Sequence, residues 1–316
     1  MHDTRSHAPV APARFTLLRP TRERVLALTW VLGAVVLWLA ADAAASHGLG
    51  HDSHAYWIAP LDASAYGGLP GEGDAFLYSP LFAQAAHLVT WLPWPVYLAL
   101  WTASAVAAYV WLLRPLRWVW AVPLAALAIE DVTLGNTTWL LALLAVAGMR
   151  RAAWWVPIAF TKVPAGVGIL WHVVRRDWRG VASAVALGAG LLAVSFALSP
   201  QMWIAYVELM RGLGSPEVAA RTAVAAVMVV LAARSDRPWL VPVALVVCAP
   251  LPLAYTWSYL LAVPRLLPES FLARINAPFG GLVPALRRSL DIPARGGPPA
   301  AATPALSPAG PASGEG

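Results

Sequence analysis

Residues 25–45, VLALTWVLGAVVLWLAADAAA, form an apolar run of about twenty residues, enough to cross a bilayer core of ~30 Å. The run is too long for a signal-peptide h-region and lacks an obvious cleavage pattern. Arg5, Arg14, Arg19, Arg22 and Arg24 precede it, and no basic residue other than histidine follows until Arg114. The positive-inside rule therefore places the N-terminus in the cytoplasm and the segment after residue 45 outside.

Composition extends this reading to the whole chain. Of 316 residues, 59% are hydrophobic and only 12% charged, with a mean hydropathy of +0.63. Soluble domains carry about 25% charged residues, so the expected class is an all-α polytopic membrane protein. The net charge of +6 fits basic cytoplasmic loops and does not call for nucleic acid. The single cysteine, Cys248, lies in an apolar run; it permits no internal disulfide and reads as a small buried hydrophobe. Every cation except one is an arginine: Lys162 is the only lysine, and it sits inside an apolar segment.

Further along, residues 76–94 read as interfacial or re-entrant, because a crossing there would leave Arg114 and Arg117 outside. Residues 95–113 cross. Between Arg117 and Arg150, apolar sequence is broken by Glu130-Asp131 and Gly135-Asn136; basic residues at both ends favour a hairpin with that turn outside. Residues 152–174 repeat the pattern, folding at Thr161-Lys162-Val163-Pro164 with arginines on both flanks. Residues 181–198 go out, 199–217 form an outer loop with an amphipathic surface helix, and 218–233 return. Residues 238–252 and 255–267 make a last short pair. The expected organisation is a cytoplasmic segment over 1–23, a membrane domain over 24–267 with an outer loop at 46–94, and a cytoplasmic tail over 268–316. From Pro293 the tail is Pro/Ala/Gly/Ser sequence, expected to be disordered. The total comes to about eight to ten spans, the shorter legs tolerated around a hydrated cavity.

The loop from His51 to Phe82, HDSHAYWIAPLDASAYGGLPGEGDAFLYSPLF, carries Asp52, Asp62, Glu72 and Asp74, two histidines and several aromatics, with no Lys or Arg. A plain connection would not need about thirty residues of such chemistry. It reads as the outer catalytic loop of a membrane enzyme, with Asp52 as base. The topology gathers Asp52, His54, Tyr56, Glu130, Asp131, Asn136, Lys162 and Arg221 on one side. Ionisable groups at membrane depth usually face a cavity or a partner. The plainer alternatives are headgroup contact for Asp52, ordinary interfacial histidines at His54 and His87, and Glu130-Asp131 capping the following helix. His51, Asp52 and His54 resemble a metal cluster in composition, but their adjacent spacing is poor for ligands, and no metal site is expected. Asn136-Thr-Thr138 also matches a glycosylation sequon.

Several stretches together resemble glycosyltransferase family 87. They are Asp52-x3-Tyr56, Ala65-Tyr66-Gly67, Phe76-Leu-Tyr78-Ser-Pro80-Leu-Phe82, Leu134-Gly135-Asn136, Thr161-Lys162-Val-Pro164 and Tyr255-Thr-Trp257-Ser. The resemblance covers roughly residues 24–267. Departures are Ser79 for the family's first proline, Asn136 for a glutamine, and Val163 before Pro164. The resemblance implies a GT-C-type helix bundle that moves a hexose, mannose in the family, from a polyprenyl-phosphate sugar to a lipid or glycan acceptor. The transfer would occur at the outer face of the plasma membrane, with both termini cytoplasmic.

In that scheme Asp52 is the base, Lys162 binds the donor phosphate and Arg221 is a second cation. His54, Tyr56, Tyr78, Glu130, Asp131, Asn136 and Trp257 line the substrate pocket, and the polyprenyl tail lies near 76–82. The partners are donor, acceptor and membrane lipids, with no nucleic acid; no cofactor is required, and a divalent cation is left open. Two other classes fit a membrane bundle with buried charge: a transporter or flippase of lipid-linked sugars, and a non-catalytic scaffold of the same fold. The enzymatic reading requires Asp52 and Lys162 to share one polar pocket.

Overall fold

In the computed structural model, residues 21–250 and 254–277 are described, the side chains of Ala43, Ala44 and Ala254 aside. Expectations for residues 1–20 and for the tail from 278, including its disorder from Pro293, lie outside the described residues. Every regular element among the described residues is helical. The chain runs α1 (Arg22–His47), α2 (His51–Ile58), α3 (Pro80–His87), α4 (Trp94–Leu113), α5 (Trp118–Leu134), α6 (Thr138–Gly148), α7 (Trp155–Thr161) and α8 (Leu170–Val174). It continues as α9 (Trp178–Leu198), α10 (Pro200–Leu213), α11 (Pro216–Arg234), α12 (Leu240–Val247), α13 (Val263–Leu266) and α14 (Glu269–Asn276). Short 3-10 segments at Val163–Ile169 and Ala254–Ala262 replace α-helix in two of the legs.

Four helices, α1, α4, α9 and α11, are long and apolar enough to cross a membrane. Their exposure is the reverse of a soluble protein's: Val31, Trp38, Val185 and Leu198 are each at least 60% exposed. Such a wide apolar surface fits lipid. With Trp118 and Trp178 exposed near one end of the bundle and Trp91 near the other, the protein is an all-α membrane protein with interfacial aromatics.

The remaining legs are short and pack in pairs. α5 turns at Gly135 into α6, and α7 turns at Lys162 into the 3-10 segment Val163–Ile169 and α8. α7 is only about 10 Å long at ~1.5 Å per residue, so it cannot cross by itself. It is instead buried in protein, where short helices are tolerated at membrane depth. The shared core uses small residues that let helices approach closely: Ala142, Ala145, Ala225, Ala232 and Ala244 are essentially inaccessible, as is Cys248.

This winding sorts charge. Arg114, Arg117, Arg150, Arg151, Arg175, Arg234 and Arg265 fall at one end of the bundle, where Arg175 pairs with Asp236 at 2.5 Å. Asp52, Asp62, Asp74, Glu130 and Asp131 fall at the other end. Helix α14 begins inside the expected tail, yet it is tied to the arginine end. Trp120 donates to the Ile275 carbonyl at 2.9 Å, and the Asn276 side chain bonds Arg117 N–H and the Pro115 carbonyl. The folded unit therefore extends past residue 267.

The outer loop is itself structured. α2, the 3-10 turn Ala63–Tyr66 and α3 bury Tyr56, Tyr66, Phe76 and Tyr78 against Met202 and Tyr206 of the amphipathic α10. Two glycines seat α2 on the bundle. Gly50 (φ +76°) donates its N–H to the Thr133 carbonyl at 2.7 Å. Gly135 (φ +71°) ends α5, and a Cβ there would lie 2.3 Å from Ser53 Oγ. Gly135→Ala therefore has to pay ~1–2 kcal/mol for left-handed backbone and must also displace α2. A lower thermal transition in detergent is expected; an unchanged one would mean that α2 does not need this seat.

Candidate active site

The α5–α6 turn places the polar residues. After Leu134 the chain reverses through Gly135, and the Asn136 N–H returns to the Asp131 carbonyl at 3.0 Å. The Asp131 carboxylate then reaches over the turn, accepting the N–H groups of Thr138 (3.2 Å) and Trp139 (3.1 Å) and the Tyr109 hydroxyl (2.5 Å). An anion here satisfies the first free N–H groups of α6 and meets the positive end of its dipole. Asp131 is fully buried and committed to this cap.

Asn136 is next, 2% exposed. Its Oδ1 accepts the Thr137 N–H at 2.7 Å and the Thr138 hydroxyl at 3.1 Å. A backbone N–H can only donate, so this amide has one orientation, with Oδ1 toward Thr137 and Nδ2 away from it. Oδ1 also accepts from Lys162 Nζ at 3.0 Å, while Nδ2 donates to Asp52 Oδ2 at 2.5 Å. One fixed amide thus joins an acid from the loop after α1 to an ammonium from the α7 hairpin. The Lys162 Nζ lies 5.1 Å from the centre of the Tyr255 ring, a cation–π contact. Asp52 is half-buried in the first turn of α2, and among the described residues only its Oδ2 has a hydrogen-bond partner.

Other expected site residues are distributed around this chain. The Tyr56 and Tyr78 hydroxyls meet at 2.8 Å, and Tyr66 donates to the Tyr78 carbonyl at 3.0 Å. Burial, with Tyr78 and Asp52 nearby, pushes the Tyr56 phenol up, so it stays neutral beside the acid. Glu130 lies beside Asp131 near the end of α5 and is half-buried. His54 is engaged away from Asp52, its Nδ1 lying 2.6 Å from Asp74 Oδ1. Trp257 is half exposed and makes no polar contact with the Asp52–Asn136–Lys162 chain. Arg221 also stands apart: it pairs with Glu217 at 3.2 Å and donates to the Pro250 carbonyl at 3.2 Å. In the loop, the Ser64 hydroxyl and N–H hold the Asp62 carboxyl below its ordinary range. Among the described residues no group of three or more His, Cys, Asp or Glu is arranged to hold a metal ion.

Sequence reasoning missed two contributors. Tyr255 supplies the aromatic face under Lys162, and the signal was an isolated ammonium in an apolar segment, which needs a π face as well as an acceptor. Ser79, which stands where the family pattern has proline, caps α3 and donates its hydroxyl to the Phe160 carbonyl. That bond ties the loop to the residue two positions before Lys162. A proline could supply neither.

The fold and this site define a membrane protein with a buried polar network at one end of a helical bundle. The model of glycosyltransferase family 87 matches residues 76–279, more than half of the 316-residue chain. The chain belongs to that family, and it is a membrane glycosyltransferase. No curated protein and no solved structure matches it. The matched residues include Asn136 and Lys162; Asp52 precedes them, so its connection to the site rests on geometry.

Removing the amide tests that connection. Asn136→Leu strips a buried ammonium and a carboxylate of their shared partner, and hydrogen bonds to charged groups are worth about 1.5–3 kcal/mol each. The variant is expected to unfold several degrees lower in detergent and to lose transferase activity. Wild-type stability and activity would show that the link is dispensable.

Proposed function

We propose that the protein transfers a hexose, mannose by preference, from a polyprenyl-phosphate sugar to a lipid or glycan acceptor. The reaction takes place at the outer face of the plasma membrane, within a GT-C-type bundle whose termini are both cytoplasmic. Family membership supports the reaction class, and the Asp52–Asn136–Lys162 chain is the observation that carries the rest. The gathering of Arg114, Arg117, Arg150, Arg151, Arg175, Arg234 and Arg265 at one end supports the orientation, because arginine collects on the cytoplasmic side.

The chemistry needs a proton acceptor and a fixed cation a short distance apart. Asp52 takes the proton of the acceptor hydroxyl, whose oxygen bonds to the anomeric carbon from the face opposite the leaving group. The bond from that carbon to the phosphate oxygen breaks, and its electron pair leaves with the polyprenyl phosphate. Lys162 meets the charge that grows on the departing phosphate, where a preplaced ammonium acts without reorganisation. A β-linked donor then gives an α-linked product. Asn136 takes no part in bond making; it sets the spacing between acid and ammonium. The aromatic side chains of Phe76, Tyr78 and Phe82 pack on one another, so the polyprenyl chain lies beside this cluster rather than within it.

Membranes containing the protein, incubated with radiolabelled polyprenyl-phosphate-mannose, are expected to yield a labelled lipid or glycan of inverted anomeric configuration. Absence of product would overturn the donor assignment. Asp52→Asn should cut kcat by about 10²–10⁴-fold with donor KM little changed, and Lys162→Met by about 10²–10³-fold. Full turnover in Asp52→Asn would remove Asp52 as base.

A further inference from the structure

α6 has a second feature at its other end. A cavity of about 840 Å³ opens between α4, α6 and the segment after α6, with Arg150, Arg151 and Arg265 on its rim. Among the described residues no acidic side chain lines it. Arg265 is held in place: its Nε donates to the Trp111 carbonyl at 2.8 Å, its Nη2 donates to the same oxygen, and its guanidinium lies 3.9 Å from the centre of the Trp111 ring. Arg150 and Arg151 are exposed, and among the described residues neither guanidinium has a hydrogen bond or an ion pair. Three guanidinium groups share one opening without a counter-charge.

Apart from the arginines and Ser104, the cavity lining is apolar, three alanines among Trp111, Leu143, Val146 and Trp154. Ser104, Ala108 and Trp111 of α4 lie on one helical face, opposite Leu143 and Ala147 of α6. From Ser104 to Trp111 that face runs about 10 Å along a helix long enough to cross the membrane. The occupant must therefore bring an anion to the rim and an apolar chain to the groove. A free phosphate would leave the groove unused, and a neutral lipid would leave the arginines uncompensated. Basic pockets between membrane helices are suited to anionic lipid headgroups.

We propose that this cavity binds an anionic phospholipid of the surrounding bilayer, its phosphate between Arg150, Arg151 and Arg265 and an acyl chain along α4 and α6. α6 has eleven residues, so about 16 Å of helix separates Asn136 from the arginine rim where the phosphate would sit. The lipid is therefore distinct from any sugar donor at Asp52 and Lys162, and the inference does not depend on the transferase reading.

The test uses full-length protein in a neutral detergent, titrated with phosphatidylglycerol, phosphatidylcholine or inorganic phosphate, and read by thermal shift and native mass spectrometry. Phosphatidylglycerol alone is expected to stabilise the protein and remain bound. Arg150→Gln with Arg151→Gln should weaken that binding about 30-fold, equivalent to ~1 kcal/mol for each arginine removed. Ala107→Trp keeps the charges and fills the groove, so it should also weaken binding; it decides the matter if the double variant does not fold. Equal stabilisation by inorganic phosphate would reduce the site to an anion site, and equal stabilisation by phosphatidylcholine would remove the role of charge. Either result, or undiminished binding in the variants, overturns the proposal.

Discussion

A single side-chain amide holds three distant parts of this chain in register. Asn136 faces Asp52 with its nitrogen and Lys162 with its oxygen, and the Thr137 N–H forbids the reverse arrangement. The amide can be this specific because its own backbone is not free to move. Asp131 clamps the turn from one side by capping α6, and Gly135 permits the left-handed step that brings Asn136 back under α2. Burial makes each bond stronger and each broken bond more costly, so the network works as a unit. The spacing of Asp52 and Lys162 thus rests on a structural turn.

The rest of the bundle serves that turn through an arrangement few soluble folds could use. Legs as short as α7 can sit at membrane depth only because neighbouring protein surrounds them. Alanine and cysteine in the core to which α6, α11 and the end of α12 contribute permit that density. The long helices α1 and α9 instead present their apolar side chains outward. Depth and charge are linked by the same winding: each hairpin that carries a polar apex to the Asp52 end leaves its arginines at the opposite end.

Much of this was legible in the sequence because its physical signals are coarse. Hydropathy and arginine spacing locate the turns at Gly135-Asn136 and at Lys162, since both flanks of each hairpin are basic. The solitary lysine marked itself by composition. The ordering of residues 269–276 as α14 was not legible, because α14 has no apolar run; what holds it are hydrogen bonds from Trp120 and Asn276, which leave no trace in hydropathy. Arg221 looked like a second cation from its place near the outer end of α11. Its pairing with Glu217 follows from i,i+4 spacing and was readable. The hydrogen-bond partners of Asp52 and Asp131 were not, because both are acids at one end of the bundle and only tertiary geometry divides them. Asp131 is used up by two N–H groups and a phenol, whereas Asp52 is held through one oxygen.

That difference also explains why a chain so rich in arginine spends its one lysine here. A guanidinium carries five donors in a planar fork and would need several acceptors in this space. The pocket around position 162 provides one amide oxygen and the face of Tyr255. A compact ammonium fits that pair, giving one donor to the amide oxygen and one side of its charge to the ring. A compact charge on a flexible stem can also follow a phosphate as it departs, which a stacked and bidentate guanidinium would do less well. Arginine at the other end of α6 faces the opposite situation, with Arg265 braced against Trp111 and Arg150 and Arg151 at an open rim. Each cation type is placed where its geometry suits the anion it can meet.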